Sequence, residues 1–186
     1  MKTFYIIIIL FFTQNLNATA ISNSDLQFLR TTYYSAVENE NDIELLNSFI
    51  KSQFGNDINN YPALILAYIA GIEALNSKHS FWITTKYKYL VKSMELFNKA
   101  VEKDPDDLEI RFMRFSILHY VPGIVGYSNE RESDLNTIYN LLIKRKQTSV
   151  PNDIQLGMVQ FLIDSDRLDE KQTSELLKLK NNMALK

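Results

Sequence analysis

The chain has 186 residues, 46% of them apolar and 23% charged, and 20 Lys and Arg stand against 22 Asp and Glu for a net charge of −2. With no cysteine it can carry neither a disulfide framework nor a lipid on a cysteine thiol. The mildly negative balance argues against nucleic acid, whose binders present a basic patch.

The amino terminus reads as an address. Met1 and Lys2 lead into an apolar run from Phe4 to Phe12, followed by Thr13-Gln14-Asn15 and then Ala18-Thr19-Ala20. One positive charge, a short apolar core and small residues at −3 and −1 predict a secretory signal over 1–20, cleaved after Ala20. A transmembrane helix needs about 20 apolar residues, and this run is roughly half that. No later stretch is long and apolar enough, since Glu73 and Lys78 interrupt the most hydrophobic one around Ala63 to Leu75. The expected product is a single soluble domain over 21–186, periplasmic or secreted, with a charge of −3 once Lys2 is lost.

Glycine and proline are scarce, and between them the apolar residues recur at helical spacing. The first helix carries Leu26, Leu29, Tyr33, Ala36 and Val37 on one stripe, with Ser24 or Asp25 as its cap. A second begins near Asn41 with a capping-box spacing to Glu44, buries Ile43, Leu46, Phe49 and Ile50, and ends at Gly55. Pro62 opens a third that runs to about Ser77. Ala63 through Ile72 is apolar all round, which predicts a central helix, and Ala67, Ala70, Gly71 and Ala74 keep it thin enough for close neighbours. The fourth covers about Ile83 to Glu102, on Tyr87, Leu90, Met94, Phe97 and Val101.

Asp104-Pro105-Asp106-Asp107 stops the fourth helix and caps a fifth, from about Leu108 to Tyr120. Val121-Pro122-Gly123 ends it, and the apolar Ile124-Val125-Gly126-Tyr127 is expected to tuck against the domain. A sixth takes Glu132 to about Arg145 on Leu135, Ile138, Tyr139 and Leu142. Pro151 opens a seventh on Ile154, Met158, Phe161 and Leu162. The last, Asp169 to Lys180, carries Leu176 and Leu179 and a capping box between Asp169 and Gln172. The fold class is all-α, a compact antiparallel stack of helical hairpins with about eight helices.

Leu96-Phe97-Asn98-Lys99-Ala100-Val101-Glu102-Lys103-Asp104-Pro105 resembles the second helix and closing turn of a tetratricopeptide repeat, with Phe97, Ala100 and Pro105 at that repeat's later signature spacing. Ser93 departs from the usual alanine, and a single unit is too few for a freestanding superhelix. A wider stretch, with Ala70-Gly71-Ile72-Glu73-Ala74-Leu75, Glu109-Ile110-Arg111-Phe112, Arg114 and Pro122 to Tyr127, is similar to exported helical proteins of Bacteroidota. The resemblance implies a helical fold and an address outside the cytoplasm. It carries no activity.

The inventory of catalytic groups is thin. His79 and His119 stand on different predicted elements without a paired metal spacing, and neither a G-x-S-x-G elbow nor a phosphate-binding glycine loop occurs. Asp104, Asp106 and Asp107 lack the glycine and distal glutamate of a calcium loop and serve as turn and cap residues. Lys86-Tyr87-Lys88-Tyr89 reads as a solvated lysine face with Tyr87 on the apolar stripe. Glu73 stands out, because a carboxylate in an apolar helix must be paired or suffer a large desolvation cost. Its expected partners are Arg111 and Arg114, three apart on the fifth helix, with Glu109 as a competitor. These observations predict a non-enzymatic interaction or scaffold protein whose partner is a protein, with no cofactor, metal or catalytic residue. The alternative is a small-ligand binder or enzyme using a polar pocket around Glu73, His79, Arg111 and Arg114, with Tyr127 nearby.

Overall fold

The computed structural model describes residues 21–144 and 148–184. The signal predicted over 1–20 and its expected cleavage after Ala20 lie outside the described residues. Among those described, eight α-helices follow one another without a strand: α1 (Asn23–Ala36), α2 (Asn41–Phe54), α3 (Ala63–His79), α4 (Ile83–Lys103), α5 (Leu108–His119), α6 (Ser128–Ile143), α7 (Asn152–Asp164) and α8 (Glu170–Ala184). They stack as successive hairpins, α1 with α2, α3 with α4, α5 with α6 and α7 with α8, and α3 also packs on α1, α2 and α5.

Helix starts follow local chemistry. Asp107 accepts from the Ile110 amide at 2.8 Å and so caps α5. The box at α8 is fully formed: Asp169 Oδ1 accepts from the Gln172 amide at 2.7 Å, and Gln172 Oε1 accepts from the Asp169 amide at 3.1 Å. At α1 the cap is Ser22, which takes the Asp25 amide at 3.1 Å, rather than Ser24 or Asp25. The expected box at Asn41 and Glu44 does not form. Glu40 before it already has helical backbone, so Asn41 lies inside the helix and its amide bonds instead to the Asn39 side chain at 3.2 Å. Gly55 ends α2 at a φ of 79°, a conformation that L side chains rarely adopt. α6 begins a turn earlier than the apolar spacing indicates, at Ser128.

Two apolar cores share α5. The first holds Leu29, Leu46, Ile65, Phe97 and Ile110 between α1 to α4 and one side of α5. The second holds Phe115, Ile138, Val159, Leu162 and Leu176 between the other side of α5 and α6 to α8. Each such side chain taken fully out of water contributes about 1.5–3 kcal/mol. α3 is the centre of the first core, buried from Leu64 to Leu75 except at the partly covered Ile69 and Ala74, as its composition requires. Gly71 lies under Tyr33, whose ring would stand 2.6 Å from a Cβ placed there. The absent side chain lets α1 and α3 close, and the Tyr33 ring then meets Tyr68 edge-on at 5.8 Å.

Two apolar expectations are overturned at one end of the stack. Ile124 is 97% exposed and does not tuck against the domain. It sits in a 3-10 turn, Gly123–Val125, where only Val125 and the following Tyr127 are partly covered. Tyr87 is also exposed. α4 has 21 residues and α5 only 12, so at about 1.5 Å per residue α5 is too short to cover the first turns of α4.

Candidate functional site

α5 is the most polar-loaded of the buried helices, with Glu109, Arg111 and Arg114 all buried. Each is consumed in fastening helices. Asp134 of α6, with no exposed surface, receives Arg114 Nε at 2.6 Å on Oδ2, and Arg114 Nη2 at 2.7 Å and Arg111 Nη1 at 2.8 Å on Oδ1. Both guanidinium groups also reach neutral acceptors. Arg114 Nη1 donates to Asn98 of α4 at 2.6 Å, and Arg111 Nε donates to the Pro105 carbonyl at 2.8 Å. One carboxylate thus ties α4, α5, α6 and the turn before α5. Two guanidinium groups against one carboxylate leave an excess positive charge, spread over neutral acceptors.

On the other side of α5, Glu109 takes both Arg30 Nε at 2.9 Å and Arg30 Nη2 at 2.6 Å, and the Tyr68 hydroxyl donates to it at 2.7 Å. This joins α1, α3 and α5. Burial first, and then the Glu109 charge, push the Tyr68 phenol far above its ordinary range, so it remains a donor.

Glu73 is buried as expected, but its partner is Lys92 of α4 at 2.7 Å, not Arg111 or Arg114. Glu73 Oε2 has no hydrogen-bond partner among the described residues. The expected pairing fails because Asp134 holds both arginines. His79 Nε2 lies 3.2 Å from the Ala36 carbonyl, at the junction of the α1 and α3 ends. Tyr127 packs against the first core, and burial, followed by the charges of Tyr87 and Glu130, raises its phenol. The structure therefore brings Arg111 and Arg114 together and leaves Glu73, His79 and Tyr127 with other neighbours. None of the five lines the open depression at Ile58, Leu66, Leu96 and Lys103, or the one at Glu40, Glu44, Lys51 and Asn76. No group of three or more His, Asp or Glu among the described residues is placed to hold a metal ion.

Asp134 and Arg30 are the polar residues that the sequence reading missed, and both carry a usable signal. Asp134 precedes Ile138 and Leu141 at steps of four and three, which places it on the buried face of α6. Arg30 lies four after Leu26 and beside Leu29.

The feature left over after these networks are satisfied is apolar and outside. α4 runs away from the α3–α4 turn and the shorter α5 runs back towards it, so the α5–α6 connection lies on the same side of the stack as the α3–α4 turn but is set back from it. After burial, the charge of Tyr87 is the next cause that raises the Tyr127 phenol there. Lys78 donates to the Val37 carbonyl at 2.5 Å and brings the end of α1 to the same place. Tyr34, Phe81, Trp82, Ile83, Tyr120 and Ile124 all stand exposed around this end. No helix among the described residues is long and apolar enough to cross a membrane. No known family model matches the chain, and no curated protein or solved structure matches it significantly.

Proposed function

We propose that this chain is an exported, non-enzymatic helical interaction or scaffold protein, working in the periplasm or outside the cell after loss of Met1–Ala20. The observation that carries the reading is that large apolar side chains stand exposed on both the α3–α4 and α5–α6 connections: Phe81, Trp82 and Ile83 on the first, Tyr120 and Ile124 on the second. Contiguous exposed apolar surface marks interaction sites, and Phe81, Trp82 and Ile83 stand exposed in a row at the α3–α4 turn. In contrast, the buried charges of α5 are bound to one another and to neighbouring helices, which is a structural use. The likeness of Leu96 to Pro105 to a tetratricopeptide unit fits the same reading, with a protein as partner.

The test is recovery of the tagged protein from its native host with whatever accompanies it. The reading expects a chain beginning at Ile21 by intact mass, and a discrete companion protein lost from the Tyr120→Ser/Ile124→Ser variant. A full-length chain from the cytoplasm would refute export. A companion retained by the variant, or none at all, would refute the interface.

A further inference from the structure

We propose that the α3–α4 turn is a docking tip for an anionic lipid surface, with Phe81, Trp82 and Ile83 entering the interface and lysines around them meeting the headgroups. The inference rests on the reading of the chain as an interaction protein and names what one part of its apolar end contacts.

The first observation is shape. Phe81, Trp82 and Ile83 are consecutive, 86%, 69% and 77% exposed, and form the outermost point of the hairpin. The Phe81 and Trp82 rings meet edge to face at 5.2 Å, so the two exposed side chains form one apolar wedge at the turn. A tryptophan with an apolar body and one N–H donor suits the headgroup level of a bilayer.

The second observation is charge. Between Glu73 and Glu95 the chain has no acidic residue and four lysines, Lys78, Lys86, Lys88 and Lys92, in a protein that is negative overall. Lys92 is matched by Glu73 and Lys78 by Glu38 at 3.0 Å. Among the described residues Lys86 Nζ is bonded to the last-turn carbonyls of α3, Ser77 at 3.2 Å and Lys78 at 2.9 Å, which fixes its charge beside the turn, partly offset by the helix end but with no carboxylate against it. Lys88 is exposed. An apolar wedge with a positive collar complements an anionic membrane, where affinity comes from buried apolar area together with attraction to the headgroups. Protein interfaces are depleted in lysine, so the collar favours lipid over a protein pocket.

Trp82 is the sole tryptophan and therefore its own reporter. Protein recovered from its host is mixed with vesicles of phosphatidylglycerol and phosphatidylethanolamine, and separately with phosphatidylcholine vesicles. On the anionic vesicles Trp82 emission should move to the blue, be quenched by brominated acyl chains, and the protein should float with the lipid. Phosphatidylcholine should give at least tenfold weaker partition, on the order expected for losing the headgroup attraction. Phe81→Ser/Ile83→Ser should weaken binding to anionic vesicles at least about tenfold, given the apolar area removed. Both positions are exposed, and an unchanged circular dichroism spectrum would verify the fold. Unchanged emission on anionic vesicles, equal partition to both lipids, or undiminished binding of the variant would each overturn the proposal. A blue shift that grows with protein concentration in the absence of lipid would overturn it too, by assigning the tip to a second copy. If the vesicles fail while Tyr120→Ser/Ile124→Ser still loses a companion protein, the lipid assignment falls and the interaction reading stands.

Discussion

Arg114 grips Asp134 with two donors at once, Nε to Oδ2 at 2.6 Å and Nη2 to Oδ1 at 2.7 Å, where neither side chain is appreciably exposed. Removing the carboxylate would leave this guanidinium and that of Arg111 buried without a counter-charge. Asp134→Ala is therefore expected to cost about 3–5 kcal/mol. Urea melts of wild type, Asp134→Ala, Arg114→Ala and the double variant should give a coupling energy of more than about 1 kcal/mol, as for residues in one buried network. Additive losses would contradict the assignment.

Glu73 behaves differently, because its partner Lys92 is 60% exposed and the pair sits at the edge of the core. Glu73→Gln is expected to cost no more than about 1 kcal/mol, the range of solvent-exposed pairs. Glu73 and Arg114 share no partner among the described residues, so Glu73→Ala and Arg114→Ala should add within about 0.5 kcal/mol. A larger coupling would mean that the two side chains meet after all.

At Gly71 helix propensity and packing oppose each other. Alanine gains about 1 kcal/mol over glycine inside a helix, but its Cβ would stand 2.6 Å and 2.9 Å from Tyr33 ring atoms. Overpacking of this kind costs about 1–3 kcal/mol. Gly71→Ala should therefore destabilise in the wild type and become neutral or stabilising in a Tyr33→Leu background. Equal effects in both backgrounds would show that Tyr33 does not hold the site.

His119 gives a pH signature. Burial, and then the charges of Arg167 and Arg131, hold its imidazole below the ordinary value. Arg167 Nε donates to Nδ1 at 3.2 Å, which requires that nitrogen to be unprotonated. The folded state binds fewer protons here than the unfolded state. The associated stability is present above the unfolded value of about 6.5 and lost as pH falls through the folded one. A proton resonance titration should place His119 below that value, and Arg167→Ala should raise it. A midpoint unmoved by Arg167→Ala would contradict the contact.

Much of the fold was legible because helix formation is local. Pro62, Pro151 and Asp107 mark starts, the Asp169–Gln172 box forms as its spacing implies, and the unbroken apolar run of α3 required a central place. Burial of Glu73 followed from its neighbours in the same helix. Its partner did not, since periodicity fixes which face is buried but not which helix meets it. Arg111 and Arg114 looked like partners for Glu73 only while Asp134 went unnoticed on the inner face of α6. Ile124 and Tyr87 show the reverse limit: apolar character predicts burial only where a neighbour reaches, and α5 is too short to cover that end.

The central claim is that the apolar end formed by the α3–α4 and α5–α6 connections is a working contact surface, and site-specific photocrosslinking in the native host tests it most directly. A benzoylphenylalanine placed at Tyr120 or Ile124, both exposed there, should yield one discrete adduct, while the same group at exposed Glu102, at the opposite end of α4, should yield none. Equal labelling from Glu102, or no adduct from Tyr120 and Ile124, would contradict it.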